Sequence, residues 1–179
     1  MSKIGQRPIK IEEGVTLTVS GTKVIATYKD NTLELQIPEK IKLKIEDNVI
    51  NIERIGNDKE ARSWHGLFAR LLNNIIIGVK TGFVKNLDFT GTGYRAALNN
   101  NVLNLSMGYS HEINLPVPEG LTVKVVKNSI EIAGIKKDEV GQFAAIIRSV
   151  RPPEVYKGKG IKYREEFIKR KAGKTASSK

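Results

Sequence analysis

An internal repeat constrains the fold of this chain more than any other feature of its sequence. Residues 38 to 58 resemble residues 118 to 138 at a spacing of 80, and the alignment runs over 21 positions without a gap. After one deletion the similarity continues at a spacing of 79, where Trp64 corresponds to Phe143. A repeat of this length indicates two copies of one folded unit rather than a single large domain.

A shorter match extends the repeat upstream. Residues 19 to 21 align with residues 89 to 91 at a spacing of 70. This alignment predicts about ten extra residues in the second copy, and it places the motif GTGYRA, residues 91 to 96, inside the insertion.

Apolar and polar residues alternate in both copies with the period of two that is typical of strands with one buried face. Asparagine and aspartate mark the breaks between strands, because their side chains tolerate a left-handed backbone. The predicted turns are Asp30-Asn31, Asp47-Asn48 and the triple asparagine at 99 to 101. The predicted strands are residues 33 to 37, 41 to 45, 49 to 52, 121 to 125 and 130 to 132.

A helix is predicted after the last strand of each copy. The first begins behind Asn57 or Asp58 and ends at Gly78 or Gly82. Its spacing of apolar residues predicts one buried stripe that belongs to the core rather than to a ligand groove. The stripe comprises Trp64, Leu67, Phe68, Leu71, Leu72 and Ile75.

The second helix begins behind Asp138 and must stop before Pro152, which has no amide proton to donate. Its core face comprises Val140, Phe143, Ala144, Ile147 and Val150. The predicted fold class is α+β, with two tandem duplicated domains that each pack a mainly antiparallel β-sheet against one helix. The expected divisions are an N-terminal repeat at 1–82, a C-terminal repeat at 83–154 and a basic tail at 155–179.

The positive charge is concentrated at one end of the chain. The net charge is +11, and residues 151 to 179 contain ten basic and three acidic residues. Residues 1 to 150 contain twenty basic and sixteen acidic residues. A body of modest charge with a cationic end is typical of a domain that binds a polyanion, although a merely solvated terminus has the same composition.

The residues needed for catalysis are sparse. The chain has no cysteine, and His65 and His111 fall in different copies, so neither is expected to act in acid-base chemistry. The glycines of GTGYRA form only part of a dinucleotide motif, and Gly173-Lys174-Thr175 lacks the earlier glycine of a phosphate-binding loop. We therefore expect no enzyme activity, cofactor or metal. The absence of cysteine, signal peptide and membrane span further predicts a cytosolic protein.

The C-terminal segment combines residue types that suit RNA. Lysines alternate with Gly158 and Gly160, which would let the backbone approach phosphates. Tyr156 and Tyr163 add aromatic faces that can contact a ribose or an unstacked base. Engagement of about six phosphates predicts that log K falls with log salt at a slope of roughly −4 to −5.

Three separated motifs resemble one known family. The runs YKGKGIKY at 156 to 163 and KRKAGKT at 169 to 175 are similar to the signature of bacterial large-ribosomal-subunit protein six, the uL6 family. The opening SKIGQRPI and the motif GTGYRA also resemble that family. Val155 and Thr92 depart from its common residues and affect only local turn geometry.

The resemblance implies a structural protein with two duplicated α+β domains. It implies binding to 23S ribosomal RNA chiefly through the C-terminal domain and tail, at the stalk base near the sarcin-ricin loop and the factor-binding region, beside neighbouring ribosomal proteins. The implied contacts are Lys157, Lys159, Lys162, Tyr163, Arg164, Lys169, Arg170, Lys171 and Lys174. Further candidates are Tyr156, Tyr94, Arg95, Lys3 and Arg7, of which the last four are equally compatible with a solvated hairpin loop and a solvated N-terminus.

Two other functions use the same features. An RNA-modifying or nucleotide-hydrolysing enzyme could employ the basic tail as a substrate handle, but the missing motifs disfavour it. A DNA-packaging protein would use the same cations, and it would bind duplex DNA as tightly as ribosomal RNA at matched salt.

Overall fold

The computed structural model describes residues 4–46 and 48–173, which form two compact units. The first unit comprises the described residues up to Gly82 together with Ile135–Lys137. The second comprises Phe83–Gly134 and the described residues from Asp138 onward. Helices and mainly antiparallel sheets occur in both units, so the predicted α+β class is confirmed. No helix in the described part of the chain is long and apolar enough to cross a bilayer.

The first unit contains two three-stranded antiparallel sheets, ordered β1-β6-β5 and β2-β3-β4, and the helix α1 packs against strands of both. Its core includes Phe68, Leu72 and Ile76 of the helix and Ile50 of the sheet. The elements are β1 (Ile9–Lys10), β2 (Thr16–Ser20), β3 (Lys23–Tyr28), β4 (Asn31–Gln36), β5 (Ile41–Glu46), β6 (Val49–Arg54) and α1 (Lys59–Lys80).

The second unit contains a four-stranded sheet ordered β11-β12-β7-β13 and a three-stranded sheet ordered β10-β9-β8. Phe143 and Ile147 of its helix pack into one core cluster with Leu87 and Ile132 of the larger sheet. The elements are β7 (Phe83–Thr90), β8 (Arg95–Asn99), β9 (Val102–Ser106), β10 (Ile113–Pro116), β11 (Leu121–Val126), β12 (Ser129–Gly134), α2 (Lys137–Val150) and β13 (Gly160–Tyr163).

The strand registers of the two units correspond. Leu43 pairs with Ile52 in the first unit, and Val123 pairs with Ile132 at the same spacing of 80 in the second. Strand β1 of the first unit corresponds to β7 of the second, since they pair with β6 and β12. This correspondence differs from the alignment of residues 19 to 21 with 89 to 91. The Ile11 amide donates to the Asn48 carbonyl, and the equivalent Phe89 amide donates to Asn128.

Phe89 therefore occupies the place of Ile11, and the predicted ten-residue insertion is wrong. The motif at 91 to 96 follows β7 as residues 12 to 17 follow β1, at nearly constant spacing. The match of residues 19 to 21 with 89 to 91 was too short to determine how the two copies align, because several neighbouring strand segments have a similar pattern.

The predicted turns are partly corrected. The triple asparagine forms the β8–β9 turn, where Asn100 and Asn101 adopt φ angles of 45° and 62°. The β3–β4 turn is Lys29-Asp30 rather than Asp30-Asn31, since Asn31 already pairs with Tyr28. Asp47 of the third predicted turn lies outside the described residues, whereas Asn48 has a φ of 65°.

Helix α1 follows Asp58 and ends at Lys80, with Gly82 in a left-handed conformation whose amide donates to Gly78. Its predicted core stripe is half wrong. Phe68 and Leu72 are buried, but Trp64, Leu67 and Leu71 are 36%, 48% and 36% exposed. The buried arc is shifted around the helix and comprises Ala61, His65, Phe68, Ala69, Leu72, Ile76 and Val79.

The shift has a physical reason. Apolar residues lie on more than half of the circumference of α1, so periodicity alone allowed two neighbouring stripes. His65 marks the correct one. Its Nε2 lies 3.0 Å from the Ile52 carbonyl oxygen, which requires that nitrogen to donate, and its ring contacts Gly5.

Helix α2 begins at Lys137, two residues earlier than a start behind Asp138 predicted, and it ends at Val150 before the prolines as expected. Asp138 and Glu139 lie in its first turn, where negative charge interacts favourably with the helix dipole. Val140, Phe143, Ala144 and Ile147 are buried, as the sequence predicted.

Candidate nucleic-acid interface

Strand β13 attaches the first part of the predicted basic tail to the second unit. It pairs antiparallel with β7, from Gly160 opposite Thr90 to Tyr163 opposite Leu87. Ile161 has no solvent exposure, and its amide donates to the Arg151 carbonyl at 2.7 Å. The segment at 155 to 173 is therefore part of the folded unit in its first half, and its cations are held at defined positions.

Gly160 has a different role from the one that the sequence suggested. Its φ is 138°, and a Cβ there would lie 2.6 Å from the Pro152 oxygen and the Pro153 Cα. Only glycine allows the two chain segments to approach so closely. The glycine therefore serves chain packing rather than the approach of a phosphate.

The chain beyond β13 folds back on the loop before it. The Lys171 amide donates to the Val155 carbonyl at 2.9 Å. The Arg170 guanidinium lies over Gly158, 3.1 Å from where a Cβ of that residue would be. This return brings Arg170 to the loop that carries Lys157 and Lys159.

Tyr163, a predicted RNA contact, is half-buried at the edge of the core. The Lys85 ammonium and the Arg148 guanidinium each lie 5.8 Å from the centre of its ring. Its backbone amide donates to the Glu166 carboxylate at 3.1 Å. These contacts indicate that Tyr163 positions the segment, with two cations near its ring.

Glu166 is the acceptor that organises this edge. The Arg148 guanidinium donates to both of its carboxylate oxygens, from Nε at 2.8 Å and from Nη2. The hydrogen bonds from Arg148 lower the pKa of Glu166 below its ordinary value against the opposing effect of burial, and the hydrogen bond from the Tyr163 amide adds to this lowering. Glu166 thus stays charged and does not contribute a free anion to the surface.

Arg164 is exposed but already has protein partners. Its Nη2 donates to the Ser129 hydroxyl oxygen at 2.6 Å and lies 3.3 Å from an Asp88 carboxylate oxygen. Its backbone amide donates to the Asn86 carbonyl. A phosphate at Arg164 would therefore compete with Asp88.

The four other exposed cations of this segment define what we call the cationic face: Lys157, Lys169, Arg170 and Lys171. None of the four forms an ion pair with a described residue. Lys159 and Lys162 are half-buried, and Tyr156 is exposed near the same loop. Cations without internal partners can exchange counterions for phosphates at full effect.

A cleft of about 360 Å³ lies beside this loop, and of its six lining residues only Tyr94 and Lys159 were candidates from the sequence. Tyr109 follows β9 and Arg151 follows α2, and no spacing in the sequence connects them. Hydrogen bonds with the hydroxyls of Tyr109 and Tyr94 raise the pKa of Arg151, which is charged at any accessible pH. The cleft is lined by Tyr94, Tyr109, Arg151, Pro152, Glu154 and Lys159.

The motif GTGYRA contributes Tyr94 to this cleft, while Arg95 is exposed on β8. The Tyr94 ring lies against Gly91, 2.6 Å from where a Cβ would be, and also near Gly108. The glycine of the motif thus makes room for the tyrosine ring, and the structure brings Tyr94, but not Arg95, together with Lys159.

The N-terminal candidates belong to the first unit. Arg7 is exposed and lines a cleft of about 490 Å³ with Lys10 and Arg70. Lys3 and Lys174 lie outside the described residues. Within the part of the chain that the structure describes, no group of three or more histidine or acidic side chains is arranged to hold a metal.

Comparison with known proteins links the motifs GTGYRA and YKGKGIKY to one family. A family model described as Ribosomal protein L6 matches residues 90–164, a span that includes GTGYRA and β13. The chain is 46% identical over 176 residues to the large ribosomal subunit protein uL6 of Helicobacter pylori strain Shi470, covering 98% of this chain and 99% of that protein. The uL6 proteins of Helicobacter acinonychis and of a Nitratiruptor species are each 47% identical over the same shares.

Proposed function

Because this chain belongs to the uL6 family of large-ribosomal-subunit proteins, we propose that its second unit anchors it on 23S ribosomal RNA through the cationic face. The family is a structural ribosomal family that binds ribosomal RNA and supports translation, and it is not an enzyme class. The observation that carries the proposal is that the four exposed cations have no carboxylate partner among the described residues.

The electrostatics of the segment support this proposal. Residues 157 to 171 contain seven basic and two acidic residues, and Arg148 neutralises one of those acids, Glu166. The charge is carried on a loop and a returning chain that strand β13 fixes to the sheet. A rigid array of cations loses less conformational entropy on binding than a flexible tail does.

The remaining expectations follow from the family. We propose a position at the stalk base near the sarcin-ricin loop and the factor-binding region, with neighbouring ribosomal proteins as further partners and the cytoplasmic ribosome as the location. We also propose that the two units arose by duplication, with the first repeat ending at 82 and the basic segment from 155 beginning inside the second unit, because β13 belongs to its sheet. The corresponding registers of β5–β6 and β11–β12 support the duplication.

Truncation at Pro153 would not test this function cleanly, because it would remove β13 from the sheet. Charge neutralisation beyond β13 avoids that problem. The test variant carries Lys169→Gln, Arg170→Gln and Lys171→Gln. The control carries Lys42→Gln, Lys59→Gln and Arg62→Gln, which removes the same charge from exposed positions of the first unit.

Binding to 23S ribosomal RNA is measured over a range of salt concentrations, together with incorporation into large subunits. We expect the test variant to lose about 2 to 3 from the magnitude of the salt slope and to incorporate poorly. The control should keep the slope of the unmodified chain. Equal slopes for all three proteins would refute the assignment of RNA binding to the cationic face.

A further inference from the structure

The cleft between the loop after β9 and the chain after α2 has the size of a ligand site. Its volume of about 360 Å³ lies in the lower part of the range of roughly 300 to 1,000 Å³ that small-molecule pockets occupy. Such a volume accommodates one base with its ribose. The cleft therefore has the size of a site for a single nucleotide.

The aromatic wall of the cleft is fixed before any ligand arrives. The Tyr109 hydroxyl donates to the Val150 carbonyl at 2.8 Å, which holds the tyrosine against the end of α2. Tyr94 is held on the other side by its packing against Gly91 and Gly108. Two tyrosines that are held in place bind a planar group with little loss of side-chain entropy.

The cationic wall is equally fixed. The Arg151 guanidinium lies 5.0 Å from the centre of the Tyr109 ring, and the hydroxyls of Tyr109 and Tyr94 raise its pKa. Lys159 adds a second cation from the loop of the cationic face, and its carbonyl accepts the Glu154 amide at 2.9 Å. Aromatic faces beside a guanidinium provide the stacking and the phosphate contact by which proteins recognise splayed-out bases in RNA.

The carboxylate of Glu154 determines which part of a bound nucleotide can lie next to it in the cleft. Glu154 is exposed and lines the cleft beside Arg151 and Lys159. An ionised carboxylate only accepts hydrogen bonds and repels phosphate. It pairs instead with the N–H donors on the Watson–Crick edge of a base.

We infer that the cleft lined by Tyr94, Tyr109, Arg151, Glu154 and Lys159 binds one unstacked nucleotide of the ribosomal RNA, with the base at the tyrosines and an N–H donor of its edge on Glu154. This inference rests on the proposed function and adds a base-reading contact to a surface that otherwise neutralises phosphates. It gives the chain one position at which RNA sequence matters.

The decisive variant is Glu154→Gln in the full chain, because two explanations predict opposite signs. If the surface acts only through charge, removing an anion strengthens binding to 23S ribosomal RNA. If Glu154 reads a base, the variant replaces an ionised acceptor by the weaker neutral acceptor of an amide, and it binds about tenfold more weakly. Glu119→Gln is the matched control, since Glu119 is an exposed acid of the same unit that does not line the cleft.

A second variant, Arg151→Lys, keeps the charge but loses the planar guanidinium, and it should also weaken binding several-fold. Base-specific chemical probing of the bound RNA supplies an independent measurement. We expect one nucleotide to be protected on its Watson–Crick edge by the unmodified chain and by Glu119→Gln, and to become reactive in the Glu154→Gln complex.

The outcomes distinguish failure of the nucleotide site from failure of the proposed RNA binding. If Glu154→Gln binds as tightly as the unmodified chain and no single nucleotide changes reactivity, the nucleotide site is wrong and the cationic face is unaffected. If both cleft variants bind RNA normally but enter large subunits poorly, the cleft receives a protein, which also overturns the nucleotide site. If the unmodified chain fails to bind 23S ribosomal RNA, the proposed function itself fails.

Discussion

The guanidinium of Arg148 and the carboxylate of Glu166 form a bidentate ion pair that joins the last turn of α2 to the chain after β13. The pair is partly shielded, with side-chain exposures of 32% and 23%. Glu166 also accepts the Tyr163 amide, so one carboxylate connects the helix, the edge strand and the start of the returning chain. The cationic face depends on this connection for its position.

We predict that Glu166→Gln destabilises the second unit by about 1 to 2 kcal/mol at neutral pH, because charge-assisted hydrogen bonds are lost from a partly shielded site. Chemical denaturation of the full chain, followed by circular dichroism, measures the change. Glu165→Gln is the control, since the neighbouring residue is exposed. Equal losses in the two variants would contradict the structural role of the pair.

The same pair predicts a pH dependence. Its hydrogen bonds lower the pKa of Glu166 in the folded chain below its ordinary value of 4.5. A carboxyl group with a depressed pKa binds more protons in the unfolded state, so its stabilisation is complete above about pH 4.5 and is lost as the pH falls through the folded-state pKa. The difference in unfolding free energy between the unmodified chain and Glu166→Gln should therefore shrink below pH 4.5 and stay constant between pH 6 and 8.

Gly160 provides a test of whether β13 positions the cations. We expect Gly160→Ala to detach the strand, because the added Cβ would lie 2.6 Å from the backbone of two prolines at a φ of 138°. Binding to 23S ribosomal RNA should weaken about tenfold or more, and the amides of β13 should lose their protection from hydrogen exchange. At Gly158 the φ of 73° also strains an alanine, but the added Cβ meets the movable end of Arg170 and no backbone, so Gly158→Ala should have the smaller effect. The reverse order of effects would count against the role of β13.

Helix α1 offers a direct test of the corrected core stripe. Leu72 has no exposure and Leu67 is 48% exposed, although the sequence placed both in the core. We expect Leu72→Ala to lower the unfolding free energy of the first unit by about 2 to 5 kcal/mol and Leu67→Ala by less than about 1 kcal/mol. The fluorescence of Trp64, the only tryptophan, reports the unfolding of this unit. Equal losses for both leucines would restore the original stripe.

The sequence predicted the β5–β6 and β11–β12 hairpins and both helices because these depend on local pattern, whereas it did not identify β2, β3 or β7 to β10 as strands. Repeat spacing identified the β5–β6 and β11–β12 hairpins, and the prolines at 152 and 153 marked the end of α2. The sequence did not determine which side of α1 faces the core, because Leu67 and Leu72 are equally apolar. That choice depends on which side of the helix the sheets cover, and no local pattern encodes it.

The site was predicted in composition but not in geometry. The charge of residues 157 to 171 was visible in the sequence, whereas β13 was not, since four residues that contain a glycine and a lysine do not show a clear alternation. Arg151 and Tyr109 were missed because they meet only after α2 and the β9–β10 loop fold onto the same sheet. Contacts between distant segments require the tertiary structure, and the cleft forms only where Tyr94 and Tyr109 meet the segment from 151 to 159.

Gly5 and His65 give the last prediction, which concerns the N-terminal segment. A Cβ at Gly5 would lie 2.6 Å from the His65 ring, and that ring cannot move away without breaking its hydrogen bond to the Ile52 carbonyl. We expect Gly5→Ala to destabilise the first unit by about 1 to 3 kcal/mol through overpacking, measured by Trp64 fluorescence in urea. In a chain that already carries His65→Ala the obstacle is gone, so Gly5→Ala should then cost almost nothing. The two substitutions should therefore couple by about 1 kcal/mol or more in a double-mutant cycle, and strictly additive losses would show that the contact is absent in solution.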